Sequence, residues 1–322
     1  MLRTRRAVPI LFLLLAMLVA GLPAGAQGGN TLIMARAVDS TGLDPHTQTA
    51  FASLRLMELV YEPLVMLDAD LNLIPGLAES WEFSDDGMQL TFHLRQGVKF
   101  HDGSDFTAED VIASYSRILD EATGSSTRTN LLSIQSMDAP DDYTVVLTLS
   151  LPDVPLVAAL SSTNTVIMPA ELAQGGDPTT TMIGTGPFML EEWLPEQKTT
   201  LKANPDWWGD GPNVDGIEIR IIPDESTIMA ALRAGEIDFA MLNDPLIATL
   251  PVEGTNVTIN RAPDIAYHAL QLRAAVEPLD KLEVRQAISC AIDRQEVVAV
   301  AGGSGVVGGM AESREMIEYL TQ

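Results

Sequence analysis

The chain has 322 residues, 46% of them hydrophobic, which supports a packed core in one large domain or two lobes and excludes a disordered chain. Its 44 acidic residues against 19 basic ones give a formal net charge of −25, which argues against nucleic acid and anionic membrane surfaces as partners, because both repel such a surface. Cys290 is the single cysteine, so neither an intramolecular disulfide nor a thiolate metal cluster can form.

Residues 1–26 read as a signal peptide. Arg3, Arg5 and Arg6 supply a positive start, Pro9 to Ala20 is an apolar run too short to span a bilayer comfortably, and Ala24-Gly25-Ala26 is a cleavage site. Cleavage before Gln27 would place the product in the periplasm or outside the cell. No cysteine follows the apolar run, so no lipid anchor is expected.

Thr31 to Ala37 is an apolar strand, and Gly42 and Pro45 punctuate the loop that follows. Ala50 to Val60 has helical spacing through Leu54, Met57 and Val60. Asp68-Ala69-Asp70-Leu71-Asn72 imitates the start of a calcium loop, but Leu73 stands where glycine is required and Ser80 where glutamate is. A turn is expected there. Trp81 opens a strand, Ser84 to Gly87 is a turn, and Leu90, Phe92 and Leu94 alternate along the next strand. Thr107 caps a helix with Asp110 at the capping-box place, and Val111, Ile112, Tyr115, Ile118 and Leu119 form its apolar face. Val145, Leu147 and Leu149 mark a further strand, and Leu156 to Leu160 a short helix.

Ile183-Gly184-Thr185-Gly186-Pro187-Phe188 carries a Gly-x-Gly, but the longer dinucleotide and P-loop fingerprints are absent. Trp207 and Trp208 follow in Asn204 to Gly209, and Ile217, Ile219 and Ile221 alternate as a strand. Asp224 to Thr227 starts a helix that Gly235 ends, with Ile228, Ala231 and Leu232 inward. Glu236 to Asp238 leads into a strand from Phe239 to Leu242, and Tyr267 to Leu272 reads as another. Asp280 is expected to cap a helix with Glu283 at the capping-box place, and Leu282, Val284, Ala287, Ile288 and Ala291 on one face. Cys290 lies in this helix and is expected to be buried.

The run PGLAESWEFSDDGMQLTFHLRQGVKFHDGSDFTAEDV resembles the signature of the family 5 extracellular solute-binding proteins, the peptide- and nickel-type receptors of ABC importers. Four further stretches carry the same likeness. They are LDPH followed by a helix and YEPL, then GTGPF, NPDWW with DGIEIRIIPDESTIMAALRAGEIDF, and VRQAISCAIDR. Gln271 departs from it, since asparagine is usual there.

The resemblance implies an α/β fold like the type II periplasmic binding proteins. Residues 27–66 and 184–265 would form lobe one, residues 67–183 a small α+β unit inserted in it, and residues 266–322 the start of an incomplete second lobe. It implies no enzyme, no cofactor and no metal. The expected partners are a small solute, most often an oligopeptide or dipeptide, and the permease subunits of an ABC transporter, with the receptor a monomer. Gln48, Thr49, Ala50 and Phe51 are the expected ligand contacts, with Gly184, Thr185, Gly186 and His268. For the first four a capped helix start is an equal reading, and for the glycines a structural role comes first. Trp207 and Trp208 would pack on the sheet of lobe one. Family members continue well beyond Gln322, so a truncated remnant or a receptor completed by another chain is the alternative. An enzyme built on His93, His101, Asp102 and Asp110 is the remaining one, without a recognised elbow or zinc motif.

Overall fold

The computed structural model describes residues 30–244, 247, 250–260 and 270–300. Two sheets organise them. β1 (Thr31–Arg36) is the pivot of the first. It pairs in parallel with β10 (Gly216–Ile221) on one side and β11 (Phe239–Ala240) on the other. Antiparallel β9 (Lys198–Ala203) and β8 (Phe188–Leu194) complete the order β11-β1-β10-β9-β8.

Period-two alternation splits β1 between two cores. Leu32 and Met34 face a core that holds Leu201, Ile217, Ile219 and Phe188, roofed by Leu56 and Met57 of helix α1 (Phe51–Met57). Ile33 and Ala35 face the other side, where Ile228 of helix α5 (Glu225–Ala234) is fully buried. Helix α5 obeys its sequence signals: Asp224 accepts the N–H of Thr227 at 2.7 Å, and Gly235 takes φ 73° at the end.

The second sheet runs β4 (Ala78–Phe83), β5 (Gln89–Leu94), β7 (Thr144–Leu149), β6 (Ile134–Asp141), all antiparallel. Leu90, Phe92, Leu94, Val145, Leu147 and Leu149 turn one face to a core closed by Val111, Tyr115 and Ile118 of helix α2 (Ala108–Leu119). The expected capping box forms, with the Thr107 N–H donating to Asp110 Oδ2 at 2.8 Å. Short β2 (Val65–Leu67) and β3 (Leu73–Pro75) pair across the calcium-like stretch. There Asp68 Oδ1 accepts the N–H groups of Asp70 and Asn72, a turn rather than a cation cage.

The stretch from α3 (Pro155–Ala159) to α4 (Ala170–Gly175) divides between the cores. Leu156, Val157 and Leu160 join the second, whereas Val166, Met168, Leu172 and Met182 join the first. Val166, Met168, Leu172 and Met182 thus pack beneath the five-stranded sheet, while Ile167 between them points into the other core.

Several expectations change here. The strand expected to reach Leu242 is two residues long. Residues 270–272 are not a strand, and Tyr267 to Ala269 lie outside the described residues. Helix α6 (Leu282–Ala291) is capped at Lys281, not Asp280, and the Asp280 N–H donates to the Val276 carbonyl. None of its side chains is buried among the described residues, so Cys290 is exposed rather than in a core. Helix α7 (Arg294–Val300) is likewise without buried residues.

Candidate functional site

Three of the sequence motifs meet at one buried carboxylate. Glu62 is 3% exposed. Its Oε2 accepts the indole N–H of Trp208 at 2.7 Å and the hydroxyl of Thr185 at 2.8 Å, and its Oε1 accepts the indole N–H of Trp207 at 3.1 Å. Burial pushes the Glu62 pKa up, and these three donors oppose the shift. The Arg95 guanidinium lies 4.1 Å over the Trp208 ring, bringing a positive charge to the rim. Trp208 packs against the core of the four-stranded sheet, not on the five-stranded one as expected, because its indole must turn inward to reach Glu62.

The Gly184–Gly186 crossing is clamped against the same segment. Gly186 and Phe188 donate N–H bonds to the carbonyls of Val60 and Leu59, each at 3.0 Å. A Cβ on Gly184 would lie 2.0 Å from the Val60 carbonyl oxygen, so only glycine permits this approach. His101 staples the other side. The Gly184 N–H donates to its Nδ1, so the ring hydrogen sits on Nε2 and donates to the Gly186 carbonyl at 2.9 Å. Burial holds the His101 pKa below its usual value. Gly184, Thr185 and Gly186 are all buried.

A second buried cluster holds the loop before α1. Arg117 grips Asp44 through two bonds, at 3.0 and 2.6 Å. The same guanidinium donates to His46 Nδ1 at 3.0 Å. Arginine can only donate, so Nδ1 accepts and Nε2–H donates to the Val166 carbonyl at 3.0 Å. His46 is fully buried, and burial, joined by the Arg117 charge, pushes its pKa down to about 4. It is neutral at pH 7.

Beyond that anchor the chain surfaces. Gln48 is half-buried, its carbonyl side-chain oxygen accepting the Thr41 hydroxyl at 2.7 Å. Thr49 is exposed and Ala50 half-buried. Phe51, at the first position of α1, is 56% exposed with Arg55 4.5 Å over its ring. Arg36, the last residue of β1, donates to the Ala52 carbonyl at 2.6 Å and fixes this helix start beside the carboxyl end of a parallel strand. His268 lies outside the described residues.

The residues that suggested enzyme chemistry serve separate structural purposes. His93 is exposed on β5, His101 staples the glycine crossing, Asp102 accepts the N–H and hydroxyl of Ser104, and Asp110 caps α2. Among the described residues no group of three or more His, Cys, Asp or Glu side chains could hold a metal ion.

Comparison with known proteins places this arrangement. Residues 72–316, well over half of the chain, match the family described as bacterial extracellular solute-binding proteins, family 5. The chain belongs to that family. Among curated family 5 relatives, the glutathione-binding protein GsiB of Escherichia coli K12 is 32% identical over 279 residues, covering 86% of this chain and 54% of its own length. Two solved structures superpose well on this chain. The binding protein AgaA from A. tumefaciens R10, in complex with agropinic acid, gives a TM-score of 0.74 at 32% identity, covering 87% of this chain and 58% of that one. The periplasmic binding protein DppA from Helicobacter pylori, in complex with the peptide STSA, gives 0.73 at 29% identity, covering 85% and 59%. The fold is therefore the mixed α/β fold of the type II periplasmic binding proteins. The chain spans about half the length of the curated relatives it matches.

Sequence reasoning missed the two buried clusters as clusters. One signal was present: Asp110, Ser114 and Arg117 stand at i, i+4 and i+7, a polar stripe beside the apolar face of α2. All three are engaged. Asp110 Oδ1 accepts the Ala170 N–H at 2.8 Å, the Ser114 hydroxyl donates to the Met168 carbonyl at 3.2 Å, and Arg117 holds Asp44.

Proposed function

We propose that this protein is the solute-binding component of an ABC importer, works outside the cytoplasm, and takes a peptide. Export would follow cleavage before Gln27. Lobe one comprises residues 27–66 and 184–265, the inserted unit residues 67–183, and a second lobe begins at residue 266. Closure of the two lobes over the solute creates the form presented to a permease, with ligand shifting the open–closed balance. The ligand-contact segment is Gln48 to Phe51, with His268 from the second lobe. Gly184, Thr185 and Gly186 serve a structural role first, bonded to Val60, Glu62 and His101, and a cleft-lining role second.

The observation that carries this reading is Phe51. An aromatic ring is held 56% exposed at a helix start anchored to the carboxyl end of parallel β1, the place where open α/β sheets receive ligands. Family membership supplies the receptor class, and relatives named for glutathione and for the peptide STSA support a peptide, while the agropinic acid complex makes an opine the alternative to test against it. Thermal melts of the protein with the peptide Ser-Thr-Ser-Ala, with glutathione and with agropinic acid test the choice. Stabilisation by either peptide is expected. Stabilisation by agropinic acid alone would keep the receptor and remove the peptide; a melt indifferent to all three would count against the receptor.

A further inference from the structure

Resting on that reading of the ligand segment, we infer that Arg117 and Asn164 are positioning residues: they reach out of the 67–183 unit and fix the backbone from which Gln48 to Phe51 project. Neither belongs to the segment it holds. Arg117 comes from the last turn of α2, and Asn164 from the 3-10 turn Thr163–Thr165.

Their bonds take up consecutive parts of one loop. Arg117 binds both oxygens of Asp44 and the Nδ1 of His46. Asn164 spends both amide hydrogens on the carbonyls of Pro45, at 2.6 Å, and Gln48, at 2.8 Å. Asp44 Oδ1 also accepts the His46 N–H, and the Asp44 carbonyl accepts the N–H groups of Thr47 and Gln48. A loop of this length would ordinarily be among the loosest parts of a surface. Here the anchors are largely dry: Asp44 is 3% exposed, Asn164 8%, His46 0% and the Arg117 side chain 16%. The hold stops at Gln48, and exposed residues begin at Thr49. The polar stripe of α2 explains how the helix serves both jobs. Its apolar face closes the second core, while Asp110, Ser114 and Arg117 face residues 166–170 and the loop. Movement of α2 would therefore be passed to the ligand segment.

Amide hydrogen exchange on the ligand-free full chain tests this without reference to any solute. Removing Arg117 alone strands a buried carboxylate, so the variants are the neutralised pair Asp44→Asn/Arg117→Met, Arg117→Lys and, separately, Asn164→Ala. In the pair and in Asn164→Ala, exchange at residues 46–48, 53 and 54 should rise about tenfold, the scale of losing roughly one buried bond. Rates across β5 and β7 should stay as they are. Arg117→Lys, which keeps the charge but loses the paired grip, should fall between wild type and the pair. Unchanged exchange in the loop, or loop and sheet accelerating by the same factor, would overturn the assignment. A failed solute screen alongside accelerated loop exchange would strike the receptor reading and leave the clamp standing.

Discussion

Glu62 and Asp44 are each 3% exposed, yet the chain settles the two carboxylates in opposite ways. Asp44 is met by a full countercharge, the bidentate Arg117, with a neutral histidine pressed against it. Glu62 is met by three neutral donors, two indoles and a hydroxyl, and its nearest cation only lies over one of the rings. An ion pair concentrates its energy in one partner, whereas a ring of neutral donors divides it among several. The two sites should therefore break differently.

The largest effect is expected at the ion pair. Arg117→Met leaves the Asp44 charge buried and unpaired, which typically costs about 3–5 kcal/mol. Urea unfolding of that variant should lose most of the stability margin, and the added Asp44→Asn should return much of it. Equal stability in the single and double variants would show that charge pairing is not what holds the loop.

Acid separates the sites by sign. The His46 pKa is about 4 in the folded chain against an ordinary 6.5, so between those values the unfolded chain takes up a proton that the native one refuses. Stability falls as pH drops through that window, by roughly 3 kcal/mol in all from this residue, and the contribution is flat above pH 7. Glu62 runs the other way. Its folded pKa is raised above 4.5, so its contribution weakens as pH rises through and beyond that value. In Glu62→Gln the opposing contribution is gone, and the acid loss between pH 6.5 and 4 should become steeper. A profile of the same slope in both proteins would remove the assignment of opposite signs.

At neutral pH the same Glu62→Gln change should be mild. An amide oxygen can keep Trp208 and Thr185, leaving only the half-buried Trp207 facing an N–H group, at a cost of about 1 kcal/mol. Denaturant midpoints with tryptophan fluorescence would read it. A loss on the scale of the Arg117→Met variant would mean that Glu62 is no shared hub.

The contrast also marks what was legible in the sequence. Helices α2 and α5, the β4–β5 hairpin and β7 and β10 announce themselves through local spacing, because apolar period and caps act within one or two turns. The family likeness rests on the same local stretches. The buried clusters do not announce themselves. Asp44 meets Arg117 and Glu62 meets Trp208 across long stretches of chain, and no period links such partners. Trp208 packs on the other sheet for this reason: its acceptor, in YEPL, cannot be paired with NPDWW from spacing. Helix α6 shows the reverse failure: a local capping pattern is present at Asp280 and Glu283, yet the helix starts one residue later, after Lys281.

Phe51 stands outside both clusters, and its expected effect on folding is the smallest. Its ring makes one notable contact, with Arg55, and is 56% exposed, so Phe51→Ala should change stability by no more than about 0.5 kcal/mol. If its purpose is ligand contact, the same variant should weaken binding of the Ser-Thr-Ser-Ala peptide about tenfold or more, which is about 1.4 kcal/mol of lost contact. Calorimetric titration of both proteins beside their melts reads the two quantities separately. Loss of stability with unchanged affinity would return Phe51 to the scaffold. Loss of affinity with an unchanged melt would place the boundary between holding and binding at the step from Gln48 to Thr49, where the grip of Asn164 ends.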